Sequence, residues 1–256
     1  MPFTYPPELR IAAVAMVANG MTPVRVAQEL GTSWTTIYNW LAQDAPDLVG
    51  RRGERCWRCR PEQPRDDAAY AQLLGLYLGD GSVSVMRSGA CALSVFCDDA
   101  WPGLADECDD LMRAVLATSV CRVQAQGCHE ITSYSRHWLC LLPQHGPGKK
   151  QDRPIVLEDW QRDIVTAHPG RLLRGLFHSD GWRGHNVAVK RAPDGFVTRY
   201  RYSRYEFTNK SADIRGICSA ALDELGIAWR PNGPWRISVN RRAAVAALDE
   251  HVGPKY

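Results

Sequence analysis

The sequence predicts an α+β protein: an all-α module of three helices, then two pseudo-symmetric copies of an αββαββα unit. Three observations carry that reading. The nonapeptide Leu73-Leu74-Gly75-Leu76-Tyr77-Leu78-Gly79-Asp80-Gly81 returns as Leu173-Arg174-Gly175-Leu176-Phe177-His178-Ser179-Asp180-Gly181. The shared frame is Leu-x-Gly-Leu-aromatic-x-small-Asp-Gly, and such a repeat marks a duplicated structural unit. Alternating and helical periodicities follow each copy in the same order. Ahead of both, residues 7–43 show three short apolar periods separated by glycine. The expected divisions are 1–45 for the helical module, 46–67 for a basic linker, 68–150 for repeat one and 151–256 for repeat two.

In the module, Pro7 and Glu8 open a helix whose Leu9, Ala12, Ala13, Met16 and Val17 form one face, and Asn19-Gly20 ends it. Thr22 caps the next helix, with Pro23 at its first position and Val24, Val26, Ala27 and Leu30 facing inward. Gly31 turns the chain, and Ser33 caps a third helix through Trp34, Ile37, Tyr38, Trp40 and Leu41. Helix, short Gly-containing turn and helix is the helix-turn-helix pattern. The segment from Val26 to Leu41 resembles the helix-turn-helix of transposases and bacterial regulators. That resemblance implies DNA binding, with Ser33, Trp34, Thr35, Thr36 and Asn39 placed to read base edges in a major groove. A plain three-helix module for protein contacts is the alternative.

Asp44, Pro46 and Asp47 end the module. Arg51, Arg52, Arg55, Arg58, Arg60 and Arg65 follow with few acids between them. This composition suits a tether that follows phosphates, or simply a solvated linker. Cys56-Trp57-Arg58-Cys59 has the C-x-x-C spacing of half a zinc site. No second C-x-x-C or H-x-x-H pair follows, so zinc at Cys56 and Cys59 requires ligands from elsewhere in the chain or from a second chain.

Within each nonapeptide the leucines and the aromatic share one helical face. Gly75 and Gly79 share another, as do Gly175 and Ser179. An interior glycine costs a helix ~1 kcal/mol relative to alanine, so small residues four apart need a reason. Close approach of a second helix is one. Packing the two copies on these faces brings their C-terminal ends together and sets Asp80 beside Asp180. Carboxylates there oppose the helix dipole, by about 0.3–1 kcal/mol, and repel each other. A bound divalent cation reverses both penalties, because hard cations prefer carboxylate oxygens. For either copy alone, an ordinary Asp-Gly turn is the alternative.

After Asp80 the pattern predicts a hairpin from strands 82–86 and 90–97, a helix over 101–117, a second hairpin from 120–126 and 129–135, and a short helix over 136–142. In strand 120–126, Arg122, Gln124 and Gln126 alternate with Cys121, Val123 and Ala125, which predicts a polar face open to a partner. After Asp180 come strands 186–191 and 196–208, a helix over 211–225, strands 227–230 and 235–239, and a helix over 241–250. Between the copies, residues 145–153 form a basic Gly/Pro-rich loop bearing Lys149 and Lys150. The stretch 183–204 carries His185, Lys190, Arg191, Arg199, Arg201 and Arg204, interleaved with Tyr200 and Tyr202, and Asp194 is nearly its only acid. A basic, aromatic hairpin suits phosphate and base-edge contacts from a β-ribbon. The predicted DNA contacts of the repeats are thus Arg122, Gln124, Lys149, Lys150, Lys190, Arg191, Arg199, Arg201 and Arg204.

Both nonapeptides resemble the signature helices of the LAGLIDADG homing endonucleases in their single-chain, two-repeat form. The resemblance covers residues 68–252. It implies a repeat interface built on Gly75, Gly79, Gly175 and Ser179, and two four-stranded sheets forming a DNA-binding saddle along the major groove. It implies that Asp80 and Asp180 are catalytic and hold Mg²⁺, as two or three divalent ions, at the scissile phosphates. It lends weaker support to a lysine beside the phosphate, from Lys149, Lys150 or Lys190. At the sixth motif position, where the family has an acid, this chain has Leu78 and His178; that acid is not the metal ligand. Some transcription regulators join a helix-turn-helix to a fold of this kind that binds DNA without cutting it. The expected function is therefore site-specific, Mg-dependent cleavage of double-stranded DNA, with non-cleaving regulation as the alternative; retention of Asp80 and Asp180 favours cleavage. An accessory role in transposition rests on the helix-turn-helix alone.

The remaining features narrow the setting. No run of eighteen apolar residues is present, which argues against a membrane span, and the first residues lack a signal-peptide pattern. Nine scattered cysteines read as reduced thiols. The net charge of +3 is mild and permits nucleic-acid binding. The expectation is a cytoplasmic, nucleoid-associated monomer.

Overall fold

The computed structural model describes residues 5–45, 56–87, 89–117, 119–191, 195 and 197–256, without the side chains of Ala42 and Lys190. The chain divides into two compact units, 1–54 and 55–256.

The first unit contains α1 (Pro7–Ala18), α2 (Pro23–Glu29) and α3 (Trp34–Asp44). Both expected caps form. Thr22 Oγ1 accepts from the Arg25 amide at 3.4 Å and Ser33 Oγ from the Thr36 amide at 3.0 Å, satisfying donors that a helix start leaves open. Gly31 makes the turn between α2 and α3 at φ 61°, where a Cβ is disfavoured. Ala13, Val26, Ala27, Ile37, Trp40 and Leu41 form the core. Val24, expected inside, is 50% exposed. Helix α2 is only two turns long, and Val26, Ala27 and Leu30 already fill its inward face. Arg10 pairs with Asp44 and ties α1 to the end of α3.

The second unit runs α4 (Asp67–Leu78), β1 (Gly81–Val85), β2 (Cys91–Asp98), α5 (Pro102–Val115), β3 (Cys121–Ala125), β4 (Cys128–Ser135) and α6 (Trp138–Leu141). Helix α7 (Asp159–Ala167) follows. The order then repeats in α8 (Pro169–Ser179), β5 (Gly181–Arg191), β6 (Val197–Thr208), α9 (Ala212–Glu224), β7 (Arg230–Pro231), β8 (Arg236–Val239) and α10 (Arg242–Val252). Two antiparallel sheets result, ordered β1-β2-β4-β3 and β5-β6-β8-β7. Their registers correspond: Gly81 faces Val95, which faces Ile131, and Gly181 faces Phe207, which faces Ile237. The two αββαββα repeats therefore share one topology. Val83, Leu93, Val95 and Ile131 of one sheet, and Tyr205, Phe207, Ile237 and Val239 of the other, join the helices in a common core.

Three features differ from expectation. Helix α7 has no counterpart in the predicted order; its start is fixed by a capping box between Glu158 and Gln161. The strand expected over 227–230 shrinks to Arg230–Pro231. Ile227 is drawn into the core, and Pro231 has no N–H with which to extend the ladder. Residues 56–66, read as linker, pack onto this unit. Cys56 and Trp57 are buried, and Trp57 meets Tyr70 and Trp160 edge-on at 5.8 and 5.2 Å. Arg58 lies over Trp160 and Arg65 over Trp57. Arg51, Arg52 and Arg55 lie outside the described residues. Among the described residues no helix is long and apolar enough to cross a membrane.

Candidate functional site

Helices α4 and α8 touch through their glycines. A Cβ on Gly75 would lie 2.5 Å from Leu172 O, and one on Gly175 only 2.1 Å from Gln72 O. Backbone occupies both places, so no side chain fits either. One turn later a Cβ on Gly79 would meet Ser179 Oγ at 2.0 Å. Ser179 instead turns its hydroxyl back to donate to Gly175 O and Leu176 O, at 3.0 and 2.9 Å. The four small residues thus form the seam that their spacing predicts.

The seam aligns the helix ends. Helix α4 stops at Gly79 and α8 at Asp180, and Asp180 Oδ2 lies 3.4 Å from where a Gly79 Cβ would stand. Asp80 keeps contact with solvent and Asp180 is half-buried. Partial desolvation raises the Asp80 carboxyl above its ordinary value, opposed by Lys150 and Lys255. Desolvation lifts Asp180 further, to about 6, with Asp80 adding to the rise. Asn209 opposes it by donating Nδ2–H to Asp180 Oδ2 at 2.6 Å.

Two lysines complete the cluster. Lys150 Nζ donates to Gly79 O at 2.7 Å, to Leu78 O at 3.1 Å and to Tyr77 O. It caps the carbonyl end of α4, where a cation is favoured. Desolvation brings its ammonium down to about 8 against the pull of Asp180 and Asp80. Lys255, absent from the predicted set, donates to Gly181 O at 3.4 Å. Its ammonium is lowered by desolvation and held up by Asp80, Asp180 and Asp98. The signal for it was present: Gly146-Pro147-Gly148-Lys149-Lys150 after repeat one is echoed by Gly253-Pro254-Lys255 after repeat two. Lys149 is exposed.

Behind the seam, His178 is buried with Nδ1 3.4 Å from Glu107 Oε2, and Arg174 Nε donates to Glu107 Oε1 at 2.6 Å. Burial works against the Glu107 carboxylate, yet His178, Arg174 and Gln72 hold it down at about 2. In repeat two the sixth motif position is therefore packed beside Glu107 of α5, and in repeat one Leu78 is simply core.

The strand register corrects one predicted face. Arg122 pairs with Ile131 and so lies on the helix-covered side of the sheet, with Gln124 on that same side. Arg122 is held there by Asp106 and by Asp109 at 3.1 Å, and Gln124 donates to Asp99 at 2.9 Å. It is Cys121, Val123 and Ala125 that share the open side. In repeat two the β5–β6 ribbon keeps Arg191, Arg199 and Arg201 exposed, with Tyr200 51% and Trp182 47% exposed. Arg204 is half-buried, beside Glu206 and over the Trp182 ring. Lys190 pairs with Thr198 in the ladder. In the first unit Ser33, Thr35 and Asn39 are exposed, Trp34 is 49% exposed, and Thr36 is half-buried with its hydroxyl 2.8 Å from Ser33 Oγ. Cys56 and Cys59 meet His137 and Cys140, one donor atom from each lying within 4.8 Å of the others.

Residues 6–44 match the profile of a homeodomain-like domain. No curated protein matches the chain. Among solved structures, the chain is similar to the I-SmaMI LAGLIDADG homing endonuclease bound to cleaved DNA, at 11% identity over 74% of this chain and 84% of that one, with a TM-score of 0.45. It is similar to the LAGLIDADG meganuclease I-AabMI bound to uncleaved DNA, at 11% identity over 71% and 83%, with a TM-score of 0.45. It is also similar to the N-terminal LAGLIDADG domain of DUF199/WhiA, at 13% identity over 79% and 89%, with a TM-score of 0.44.

Proposed function

We propose that the chain is a site-specific DNA endonuclease, acting as a monomer on double-stranded DNA. The observation that carries this reading is the convergence of Asp80, Asp180, Lys150 and Lys255 at one end of the α4–α8 seam. The donor set fits Mg²⁺: two hard carboxylates, both raised by desolvation and Asp180 also by the charge of Asp80, gain most from a divalent cation. Asp80 and Asp180 would hold the ions. When bound, such ions supply Lewis acidity at the phosphate and acidify a water.

The chain's own groups supply the rest. The seam fixes the two carboxylates relative to each other, so that no reorganisation is needed at the moment of reaction. Lys150 and Lys255 present positive charge where a phosphate gains negative charge. Lys150 is already oriented by the α4 carbonyls. On the β5–β6 ribbon, exposed Tyr200 and half-buried Arg204 lie on the face opposite buried Tyr205 and Phe207 and suit base edges, while exposed Arg191, Arg199 and Arg201 share the other face of the pleat and suit backbone phosphates. The exposed start of α3 suits a second stretch of major groove.

The test is selection from a randomised duplex library in Mg²⁺ and in Ca²⁺, with Asp80→Asn and Asp180→Asn beside the unaltered chain. Specific double-strand cutting in Mg²⁺, lost in each variant with binding intact, is the expected result. Tight binding with no cutting in Mg²⁺ or Mn²⁺ would replace the endonuclease with a DNA-binding regulator. Absence of binding would remove both.

A further inference from the structure

We propose that Cys56, Cys59, His137 and Cys140 form a structural zinc site that clamps the start of the second unit onto repeat one. Four soft donors converge from two distant segments: Cys59 lies 78 residues from His137 and 81 from Cys140. In a tetrahedral site, Zn–S bonds of about 2.3 Å and a Zn–N bond of about 2.0–2.1 Å set sulfurs about 3.8 Å apart and sulfur and nitrogen about 3.6 Å apart. Cys59 Sγ is 3.6 Å from Cys140 Sγ and 3.4 Å from His137 Nδ1, and Cys140 Sγ is 3.7 Å from that same nitrogen. Cys56 Sγ completes the group within 4.8 Å. Pairwise thiol hydrogen bonds are weak and give no reason for three donors to stand at tetrahedral edge distances with a fourth beside them.

Local backbone prepares both halves. The 56–60 turn is closed by the Cys59 and Arg60 amides donating to Cys56 O at 3.0 and 2.9 Å. The Arg58 and Cys59 amides also point at the Cys56 sulfur, the kind of outer-shell contact that orients a thiolate ligand. On the other side, His137 and Cys140 stand three residues apart at the start of α6, the spacing that puts side chains on one helical face. The His137 amide donates to Ser135 Oγ at 3.1 Å and the Cys140 amide to His137 O at 3.0 Å. H-x-x-C is the second half-site that the C-x-x-C spacing alone leaves missing.

Three thiolates and one imidazole select zinc over hard cations. All four positions are filled by protein, so the site is structural, without the open position that zinc catalysis needs. Binding Zn²⁺ releases the three thiol protons to solvent and leaves the centre with one net negative charge. The clamp lies beside the Trp57 insertion against Tyr70 and Trp160, so metal and aromatic packing hold the same turn.

The experiment uses the full chain, untagged and purified without chelator, with zinc measured by mass spectrometry. One zinc per chain is expected, falling to background in Cys140→Ser and unchanged in Cys121→Ser, an exposed thiol outside the group. As a readout that does not depend on folding of Cys140→Ser, Co²⁺ is exchanged into the unaltered chain, where thiolate-to-cobalt charge transfer and intense tetrahedral d–d bands are expected. Zinc-free protein that stays metal-free after zinc is supplied to reduced thiols, or six-coordinate Co²⁺ spectra, or a Cys59–Cys140 disulfide in place of the metal, would overturn the site.

Discussion

Asp80 and Asp180 end equivalent helices, but their neighbours are not equivalent. The register that matches Val95 to Phe207 places Cys97 where repeat two has Asn209. Asn209 donates to Asp180, whereas Cys97 is buried with Cys108 as its partner and offers Asp80 no amide. Lys150 touches three carbonyls and Lys255 one. The sheets diverge likewise. Strands β5 and β6 are 11 and 12 residues long, against 5 and 8 for β1 and β2. The two repeats agree along the seam and at the acids that end it, and differ in the residues that surround those acids. The seam tolerates one solution, while the shell around it was free to specialise.

The seam gives the largest expected effect. Gly175→Ala and Gly75→Ala put a Cβ at 2.1 and 2.5 Å from backbone oxygen, which only a shift of a whole helix can relieve. Each should cost on the order of 3 kcal/mol in urea denaturation. Gly216→Ala is the control, since its Cβ would meet nothing within 4 Å, and in helix α9 it should stabilise by up to about 1 kcal/mol. A tolerated Gly175→Ala would mean that the helices are not in backbone contact.

The lysines come next. Lys150→Met should slow single-turnover cleavage by about 100-fold and lower the melting temperature, because three α4 carbonyls lose their donor. Lys255→Met should cost only about tenfold and leave the melting temperature nearly unchanged. Equal losses would show that the two corners act symmetrically despite their different contacts.

What was legible in the sequence follows the same divide. Gly75, Gly79, Gly175, Ser179, Asp80 and Asp180 are readable because a seam of two helices writes its requirement into local spacing. The alternation of Arg122, Gln124 and Gln126 with Cys121, Val123 and Ala125 points to a polar open face, but β3 is exposed along its whole length, so alternation there carries no inward signal and only pairing with Ile131 sets the face. Lys255 and the His137–Cys140 pair act across the fold, so their meaning appears only when distant segments are brought together. Helix α7 carries no usual start signal, because glutamate rather than Ser, Thr, Asp or Asn stands at its N-cap.

The smallest effect, and the sharpest test of the asymmetry, is on pH dependence. The native Asp180 carboxyl holds its proton to about pH 6, whereas an unfolded aspartic acid loses it near about pH 4. Ionising Asp180 therefore destabilises the metal-free fold as pH rises from about 4 to about 6, and the cost is constant above that window. A proton on Asp180 also competes with any cation there, so at sub-saturating Mg²⁺ cleavage should fall as pH drops through about 6, and saturating Mg²⁺ should move that limb to lower pH. The Asn209 amide favours the ionised form, so Asn209→Ala should move this acid limb to higher pH and raise the Mg²⁺ concentration needed for half-maximal rate at pH 7. Cys97→Ala, at the matching position of repeat one, should leave the limb in place, because Cys97 donates nothing to Asp80. A pH–rate profile of single-turnover cleavage separates the two variants. If both move the limb equally, the carboxylates titrate as one symmetric pair and the amide at Asn209 is incidental. If only Asn209→Ala moves it, the proton that limits the reaction belongs to the corner of repeat two.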